Sequence, residues 1–341
     1  MGILVLLMGG VATPSTPRAL SKAPGNGAFL SFNPDLQTWT IGNSRLRVTF
    51  RLTSANDLLL DQVFSPDTGR IFNSASAADS SITINGSTTS LGSASGGWTL
   101  DGTATSDTDA GVQLAFTFRS SKAPVTVIRS YASYPSSPTI ETWTTVRATG
   151  TGSVSVSNLN VWQLTLPAST VHYALGLRED ANGNPVDDAF TLQSATLDEG
   201  QPLTLASLNR STEQYLPVMA ADTDADEFYG GVLWSGSWQM TARRRGTDIQ
   251  ATAGMPTVTV SVDAAHPLEI PHGFFGFTPG GRSDVSDALR TFVVEGLRQG
   301  RGFEPLVTYN SWFAYGTEID EEAMMNEMFA AASLGVELFV V

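Results

Sequence analysis

The sequence contains no cysteine, and this absence removes several kinds of chemistry at once. Disulfide bonds, cysteine-ligated zinc, iron–sulfur clusters and a cysteine nucleophile are all excluded. Histidine is also scarce: there are three, His172, His266 and His272, and they carry no metal-ligand spacing. We therefore expect neither a metal site nor a cofactor, and each histidine is predicted to be exposed or held by a hydrogen bond.

Basic side chains are few, since 19 Lys and Arg stand against 33 Asp and Glu and the net charge is -14. A field of this sign repels polyanions, so nucleic acid and anionic membranes are not expected as partners. A neutral sugar is indifferent to the field, and acidity can also serve solubility alone. Charged residues make up only 15% of the chain, which, with abundant Ser, Thr and Gly, favours an all-β surface.

Long apolar runs are absent as well. The run at residues 3–12 has the length of a signal-peptide core and is too short to span a bilayer. Small residues and prolines follow it, as they do near a cleavage site, although no Lys or Arg precedes it. Residues 1–27 are therefore predicted to be a signal-peptide-like segment with a linker, and the protein to be secreted or periplasmic. The alternative is a disordered tail with an apolar patch.

Residues 28–282 show the two-residue alternation of β-strands. Examples are "SRLRVTFRLT" and "VSVSNLNVWQLTL", and turn-forming clusters such as "ANGNP" at 181–185 separate the runs. Helical periodicity is absent from this stretch. It is therefore predicted to form one large antiparallel β-sandwich domain.

The periodicity changes after residue 282. "SDVSDALRTFVVEGLRQG" places apolar residues at helical spacing, with Ser283 or Ser286 available as the N-cap and Gly300 at the end. We assign residues 283–304 to a helix that links two domains.

Residues 305–341 are predicted to form a βαβ unit of a parallel sheet. A strand at 305–312 is followed by a helix that Asp320 caps, then by Gly335 and an apolar strand. Two parallel strands and one helix leave a sheet face and both edges uncovered. We therefore expect the sequence to be a fragment whose sheet continues as a doubly wound sheet or a closed barrel. The alternative is a decorated β domain with an unusual tail.

Three stretches carry a resemblance to a known family. "PLVTYNSWFAYGTEIDEEAMMNEMFAAASLGVELFVV" (305–341) resembles the entry into the catalytic barrel of glycoside hydrolase family 36, the α-galactosidase (melibiase) family. In that family an Asn-Ser/Thr-Trp motif ends the first strand, and a Leu-Gly-x-Glu-Leu-Phe-Val-Val-type strand follows the helix. "EFYGGVLWSGSW" (227–238) and "HPLEIPHGFFGFTPGGRSDVSDALRTFV" (266–293) also look like stretches of this family.

The resemblance implies a mostly β fold: a large antiparallel β-supersandwich, then the linker helix, then the first βαβ unit of a truncated (β/α)8 TIM barrel. It implies retaining hydrolysis of terminal α-galactosides in oligosaccharides by the full-length protein. The family's two catalytic aspartates belong to later strands, beyond residue 341, so no catalytic residue is assigned within this chain. Homo-oligomers are also implied, since family members often assemble through the β domain.

Three alternatives remain open at this point. The same family includes α-N-acetylgalactosaminidases and galactosyl transferases, which differ in pocket residues that this sequence does not contain. A non-catalytic carbohydrate-binding or assembly module with the same sandwich belongs to a different functional class.

Asn310 and Trp312 match the family motif at the carboxyl end of the first barrel strand and are our candidate substrate-binding residues. An indole can stack on the apolar face of a sugar, and an amide can bond its hydroxyl groups. Without the resemblance, core packing would be the preferred interpretation of Trp312. Tyr315 in the same loop is a weaker candidate.

Two further patterns are predicted to be structural. Trp234 and Trp238 are interpreted as lying on one strand and one face, packed in the core, with the alternative that one lines a sugar pocket. "DTDADE" at 222–227 begins like a calcium loop, but it lacks the glycine at the sixth position and the distal glutamate. A solvated turn is the preferred interpretation.

Overall fold

The computed structural model describes residues 21–22, 27–179, 186–223, 226–302 and 304–341. The apolar run at 3–12 and the "ANGNP" turn lie outside the described residues. The chain divides into two compact units, one ending at Gly300 and one covering Arg301–Val341. Strands account for 53% and helices for 10% of the described residues, which confirms the mostly β fold class.

The first unit is built almost entirely from strands that follow one another along the chain. In chain order they are β1 (Ser21–Lys22), β2 (Phe29–Asn33), β3 (Thr38–Gly42), β4 (Arg47–Leu52), β5 (Leu58–Ser65), β6 (Arg70–Ile71), β7 (Ser81–Ile84), β8 (Ser87–Ser90), β9 (Trp98–Asp107), β10 (Val112–Ser120), β11 (Val125–Ser133), β12 (Thr139–Ala148), β13 (Val154–Leu166), β14 (Thr170–Leu175), β15 (Leu192–Thr196), β16 (Pro202–Ser207), β17 (Tyr215–Thr223), β18 (Asp226–Leu233), β19 (Trp238–Arg245), β20 (Asp248–Val262), β21 (Leu268–Glu269) and β22 (His272–Pro279).

These strands form three antiparallel sheets within the described residues. The first sheet runs in chain order from β1 to β6, and the second has the order β16-β19-β20-β13-β7-β8. The third has the order β15-β14-β17-β18-β22-β12-β11-β10-β9, with β21 beside β12. The antiparallel sheets agree with the predicted sandwich.

One hydrophobic core joins the three sheets. Along β10 the side chains alternate between buried apolar residues and residues nearer the surface, as expected of a strand with one face on a core. Phe116 of β10 meets Phe50 of the first sheet, with ring centroids 5.2 Å apart. Trp162 of the second sheet meets Phe228 of the third edge-on at 5.7 Å. The third sheet therefore contributes side chains to contacts with both other sheets.

A helix follows the last of these strands. Helix α1 (Arg282–Thr291) continues without a break into a π-helical segment at Phe292–Leu297. Its buried face includes Phe292, which packs against Tyr134 and Phe274. A Cβ at Gly296 would lie 2.7 Å from the Tyr134 ring, so a glycine there lets the helix approach the sheet closely. The helix therefore packs within the first unit.

The predicted cap of this helix is wrong. Neither Ser283 nor Ser286 is the N-cap, which is Gly281, and no side chain makes a capping hydrogen bond. The chain enters the helix through Gly280, whose φ is +108°, so that the helix begins before the serines are reached. Extended backbone at Gly281 needs no side chain to start the helix.

The second unit contains β23 (Thr308–Asn310), α2 (Trp312–Tyr315), α3 (Glu321–Ser333) and β24 (Leu338–Val340). β23 and β24 pair in parallel and α3 lies between them in the chain, so the βαβ order is present. The Asp320 carboxylate accepts the Ala323 N–H at 2.9 Å, which confirms the predicted cap. Gly335 follows α3 with φ +84°. Two strands do not establish a barrel, and the (β/α)8 architecture stays a prediction.

Candidate functional site

The candidate site lies at the carboxyl end of β23. Asn310 is the last residue of this strand, and its Oδ1 accepts the Trp312 N–H at 3.0 Å. Ser311 is buried, and its N–H donates to the Val340 carbonyl of β24 at 3.0 Å. The turn that carries Asn310 and Trp312 is thus fixed both by its own amide side chain and by the neighbouring strand.

Trp312 begins the short helix α2 and is 60% exposed. The described part of the second unit does not cover this indole, and the choice between core packing and sugar binding stays a prediction. An exposed indole at the carboxyl end of a parallel strand has the position expected of a ligand-binding aromatic residue in an α/β sheet. Asn310 and Trp312 lie next to each other, and their role in sugar binding stays a prediction.

Tyr315, the last residue of α2, connects this helix to α3 through a hydrogen bond. Its hydroxyl donates to Glu327 Oε1 at 2.7 Å, and this hydrogen bond to a carboxylate raises the pKa of Tyr315. The pKa of Tyr309 is also raised, mainly by desolvation and to a smaller extent by Glu327. The Tyr309 ring stacks on Phe339, with ring centroids 5.1 Å apart. Both phenols are therefore neutral hydrogen-bond donors at ordinary pH.

The arrangement offers an amide and an exposed indole at one strand end, whereas the Tyr315 hydroxyl is already bonded to Glu327. These groups suit a neutral ligand with hydroxyl groups and one apolar face. Retaining glycoside hydrolysis needs two carboxyl groups about 5–5.5 Å apart. Glu327 is already hydrogen-bonded to Tyr315, and we assign no catalytic role to it.

The predicted placement of Trp234 and Trp238 on one strand and one face is wrong. β18 ends at Leu233 and β19 begins at Trp238, so the two tryptophans lie on opposite sides of a strand connection. Trp238 is buried, and its Nε1–H donates to the Ser211 carbonyl at 2.7 Å, as core packing predicted. Trp234 is substantially exposed. The short Ser-Gly-Ser connection breaks the strand that the sequence pattern extended through both residues.

The described part of "DTDADE" is strand rather than the solvated turn that the sequence favoured. It contains the end of β17 and the start of β18, and the pairs Asp222–Glu227 and Thr223–Asp226 continue the ladder into it. Asp226 and Glu227 are buried, whereas the Asp222 side chain is 57% exposed. The pairing of β17 with β18 therefore places Asp226 and Glu227 in the buried part of the sheet.

The histidines follow the prediction that each is exposed or hydrogen-bonded. His266 is exposed beside Asp263. His272 Nδ1 lies 2.5 Å from Glu141 Oε1, and its ring stacks on Trp143 with centroids 4.5 Å apart. Burial lowers the pKa of His272, but the carboxylates of Glu141 and Glu269 together outweigh burial, so the pKa is raised overall.

No family model matches the sequence, and no curated protein matches it. Solved structures do match. The galactosidase domain of the α-galactosidase–sucrose kinase AgaSK gives a TM-score of 0.69 at 12% identity, over 92% of this chain and 51% of that chain. The α-galactosidase of Lactobacillus brevis gives a TM-score of 0.68 at 15% identity, over 90% of this chain and 48% of that chain.

The glycoside hydrolase family 36 (GH36) α-galactosidase AgaB of Geobacillus stearothermophilus gives a TM-score of 0.67 at 14% identity, over 91% of this chain and 50% of that chain. The chain has the fold of part of the GH36 α-galactosidases. It spans about half the length of the solved structures that it matches. Variants of a second enzyme of G. stearothermophilus, AgaA, were solved in complex with raffinose and with stachyose.

Proposed function

We propose that this chain is part of a retaining GH36 α-galactosidase that releases terminal α-linked galactose from oligosaccharides. The observation that carries the proposal is the structural match to GH36 α-galactosidases over about 90% of the chain. The Asn-Ser-Trp motif at the carboxyl end of β23 supports it.

In this proposal Asn310 and Trp312 contribute to the wall of the sugar pocket. Trp312 stacks on the apolar face of galactose, and the Asn310 amide, besides fixing the turn, directs its N–H groups to sugar hydroxyls. The nucleophile and the acid/base are two carboxylates in the part of the full-length enzyme that corresponds to the uncovered half of the matched structures. They act by the covalent, configuration-retaining route.

The test uses the protein expressed from its complete reading frame. Hydrolysis of p-nitrophenyl α-galactoside and of raffinose is measured, and NMR of the first product identifies the anomer. The expected result is hydrolysis with α-galactose as the initial product. Trp312→Ala is expected to lower kcat/KM at least about tenfold, equivalent to about 1.4 kcal/mol. The control is Phe313→Ala, the next residue of the same short helix, which has no assigned role.

The alternatives have their own outcomes in this experiment. Preferred cleavage of p-nitrophenyl α-N-acetylgalactosaminide indicates the acetamido sugar as substrate, and transfer of galactose to sucrose without release indicates a transferase. Binding of raffinose without turnover refutes the hydrolase and indicates a carbohydrate-binding module. Equal kinetics of Trp312→Ala and Phe313→Ala would remove Trp312 from the proposed pocket.

Location and assembly are parts of the proposal that need separate measurements. Secretion or periplasmic export predicts that the mature protein lacks the apolar run at residues 3–12, which N-terminal sequencing of the native protein determines. Homo-oligomers through the β domain predict a mass above one chain in light scattering. No helix among the described residues is long and apolar enough to span a membrane.

A further inference from the structure

Three neighbouring strands of the third sheet bring a histidine and two carboxylates together. His172 lies on β14, Asp222 on β17 and Glu227 on β18. The ligand atoms that these side chains offer all lie within 4.8 Å of one another. Nothing in the proposed sugar site uses them.

The sheet register explains why the three side chains meet. Asp222 is directly opposite Glu227, and His172 is directly opposite Ala220, two residues before Asp222. Residues opposite each other, or two apart on one strand, project from the same face of a sheet. The histidine and the two carboxylates are therefore on one face, at adjacent and diagonal positions that the backbone fixes.

The imidazole is oriented and incompletely satisfied. His172 is only 7% exposed, and its Nδ1 lies 2.7 Å from Ser194 Oγ of the adjacent β15. Its Nε2 lies 3.0 Å from Asp222 Oδ2, but not in hydrogen-bonding geometry. Among the described residues Nε2 has no hydrogen-bond partner although it is buried. A buried ring nitrogen left in this state is costly unless a ligand uses it.

The geometry points to a binding site for one divalent first-row transition-metal ion, with zinc as its representative, held by His172 Nε2, Asp222 and Glu227. Imidazole nitrogen and carboxylate oxygen are established zinc ligands, and a fourth position is left for water. Nδ1–H donating to Ser194 Oγ gives the tautomer in which Nε2 presents its lone pair, the arrangement common to metal-bound histidines.

The distances need only a small adjustment. Ligand atoms about 2.1 Å from one ion are at most about 4.2 Å apart, and the described spread is within 4.8 Å. The half-exposed Asp222 can swing inward and leaves a route from solvent. Two carboxylates around one neutral imidazole also match a dication in charge. Calcium and magnesium favour sites built only of oxygen, so the nitrogen ligand selects against them.

A bound ion would cross-link β14, β17 and β18. This role is structural and is independent of the proposed hydrolase. It also reverses our sequence expectation of no metal site, because the ligands come from separate strands and their spacing in the sequence carries no signal.

The test uses the complete chain, produced without a histidine tag and stripped of metal with a chelator. Isothermal titration with Zn²⁺ is expected to give one ion per chain. At a free Zn²⁺ concentration about 100-fold above Kd, Tm is expected to rise by about 4 °C. Ca²⁺ and Mg²⁺ at the same concentration are expected to leave Tm unchanged.

Asp222→Asn is the decisive variant, because its half-exposed side chain can be replaced without disturbing the core. It is expected to weaken Zn²⁺ binding at least about tenfold, since even second-shell losses cost about 10–100-fold. Ser194→Ala is expected to weaken binding by about tenfold through the tautomer. The matched control is His266→Gln, which removes an exposed histidine from a similar contact with an aspartate and is expected to bind as the wild type does.

Three results would overturn the proposal. They are the absence of Zn²⁺ binding in the stripped wild type, equal binding by wild type and Asp222→Asn, and a Tm rise with Ca²⁺ as large as that with Zn²⁺.

Discussion

A buried ion pair gives the strongest stability prediction for the first unit. Arg129 Nη2 lies 2.6 Å from Asp79 Oδ2, with side chains 1% and 9% exposed. Tyr131 donates to the same carboxylate oxygen at 2.9 Å, and Arg129 Nη1 donates to Thr144 Oγ1 at 3.1 Å. The pair is therefore surrounded by hydrogen bonds that replace the water it lost on burial.

Asp79→Ala would leave the guanidinium buried without its counter-ion. Burial lowers the pKa of Arg129, but Asp79 more than compensates in the wild type, and arginine does not deprotonate to escape the loss. Removing one member of a buried pair costs about 3–5 kcal/mol. For a chain of 341 residues, each kcal/mol shifts Tm by about 1.4 °C, so Tm is expected to fall by at least about 4 °C.

Differential scanning calorimetry of the variants gives the measurement. The control is Asp101→Ala, which breaks the exposed pair Arg119–Asp101 and is expected to cost less than about 1 kcal/mol. The double variant Arg129→Met/Asp79→Ala is expected to be more stable than Asp79→Ala alone, because no unpaired charge remains. If Asp79→Ala lowers Tm no more than Asp101→Ala, or if the double variant is no more stable than Asp79→Ala, the reasoning is refuted.

Three further predictions concern other parts of the chain. Although burial lowers the pKa of His272, Glu141 and Glu269 raise it above the unfolded value of about 6.5. The stabilisation is therefore complete below that pH and is lost as pH rises through the folded pKa. The Tm difference between wild type and His272→Asn should shrink as pH rises above about 6.5, and a constant difference contradicts this. Asp320→Ala removes the N-cap of α3 and should reduce the stability of that helix end by about 1 kcal/mol. Hydrogen exchange of the first α3 amides should therefore become roughly fivefold faster. Unchanged exchange excludes the cap as a stabilising contact. A Cβ at Gly276 would lie 2.3 Å from a backbone carbonyl oxygen, so Gly276→Ala should destabilise the protein by about 1–3 kcal/mol in denaturant titrations. Gly102 has open space around it, so Gly102→Ala should not destabilise the protein. Equal effects of the two substitutions would contradict the steric argument.

Local patterns predicted the elements well. The alternation in "SRLRVTFRLT" predicted a strand, and β4 alternates between buried and half-buried residues, because a two-residue period can be recognised without knowing the partner strand. The Asp320 cap was predicted because all its atoms lie within one turn of the chain. The wrong cap prediction also has a local cause. Ser283 and Ser286 match a capping pattern, but the helix already begins after Gly280 and Gly281, before either serine is reached.

Contacts that depend on sheet order could not be predicted in this way. His172 is separated from Asp222 in the sequence by all of β15 and β16, and only the pairing of β14 with β17 makes them neighbours. Asp79 and Arg129 likewise meet only through the tertiary fold, since 50 residues separate them in the sequence. In a helix or a tight turn, the spacing of residues in the sequence determines which side chains meet. In this sandwich the register of the paired strands determines it, so a one-residue slip of β14 would turn His172 to the opposite face. A sequence motif search therefore finds the Asn310–Trp312 turn and passes over the cluster of His172, Asp222 and Glu227.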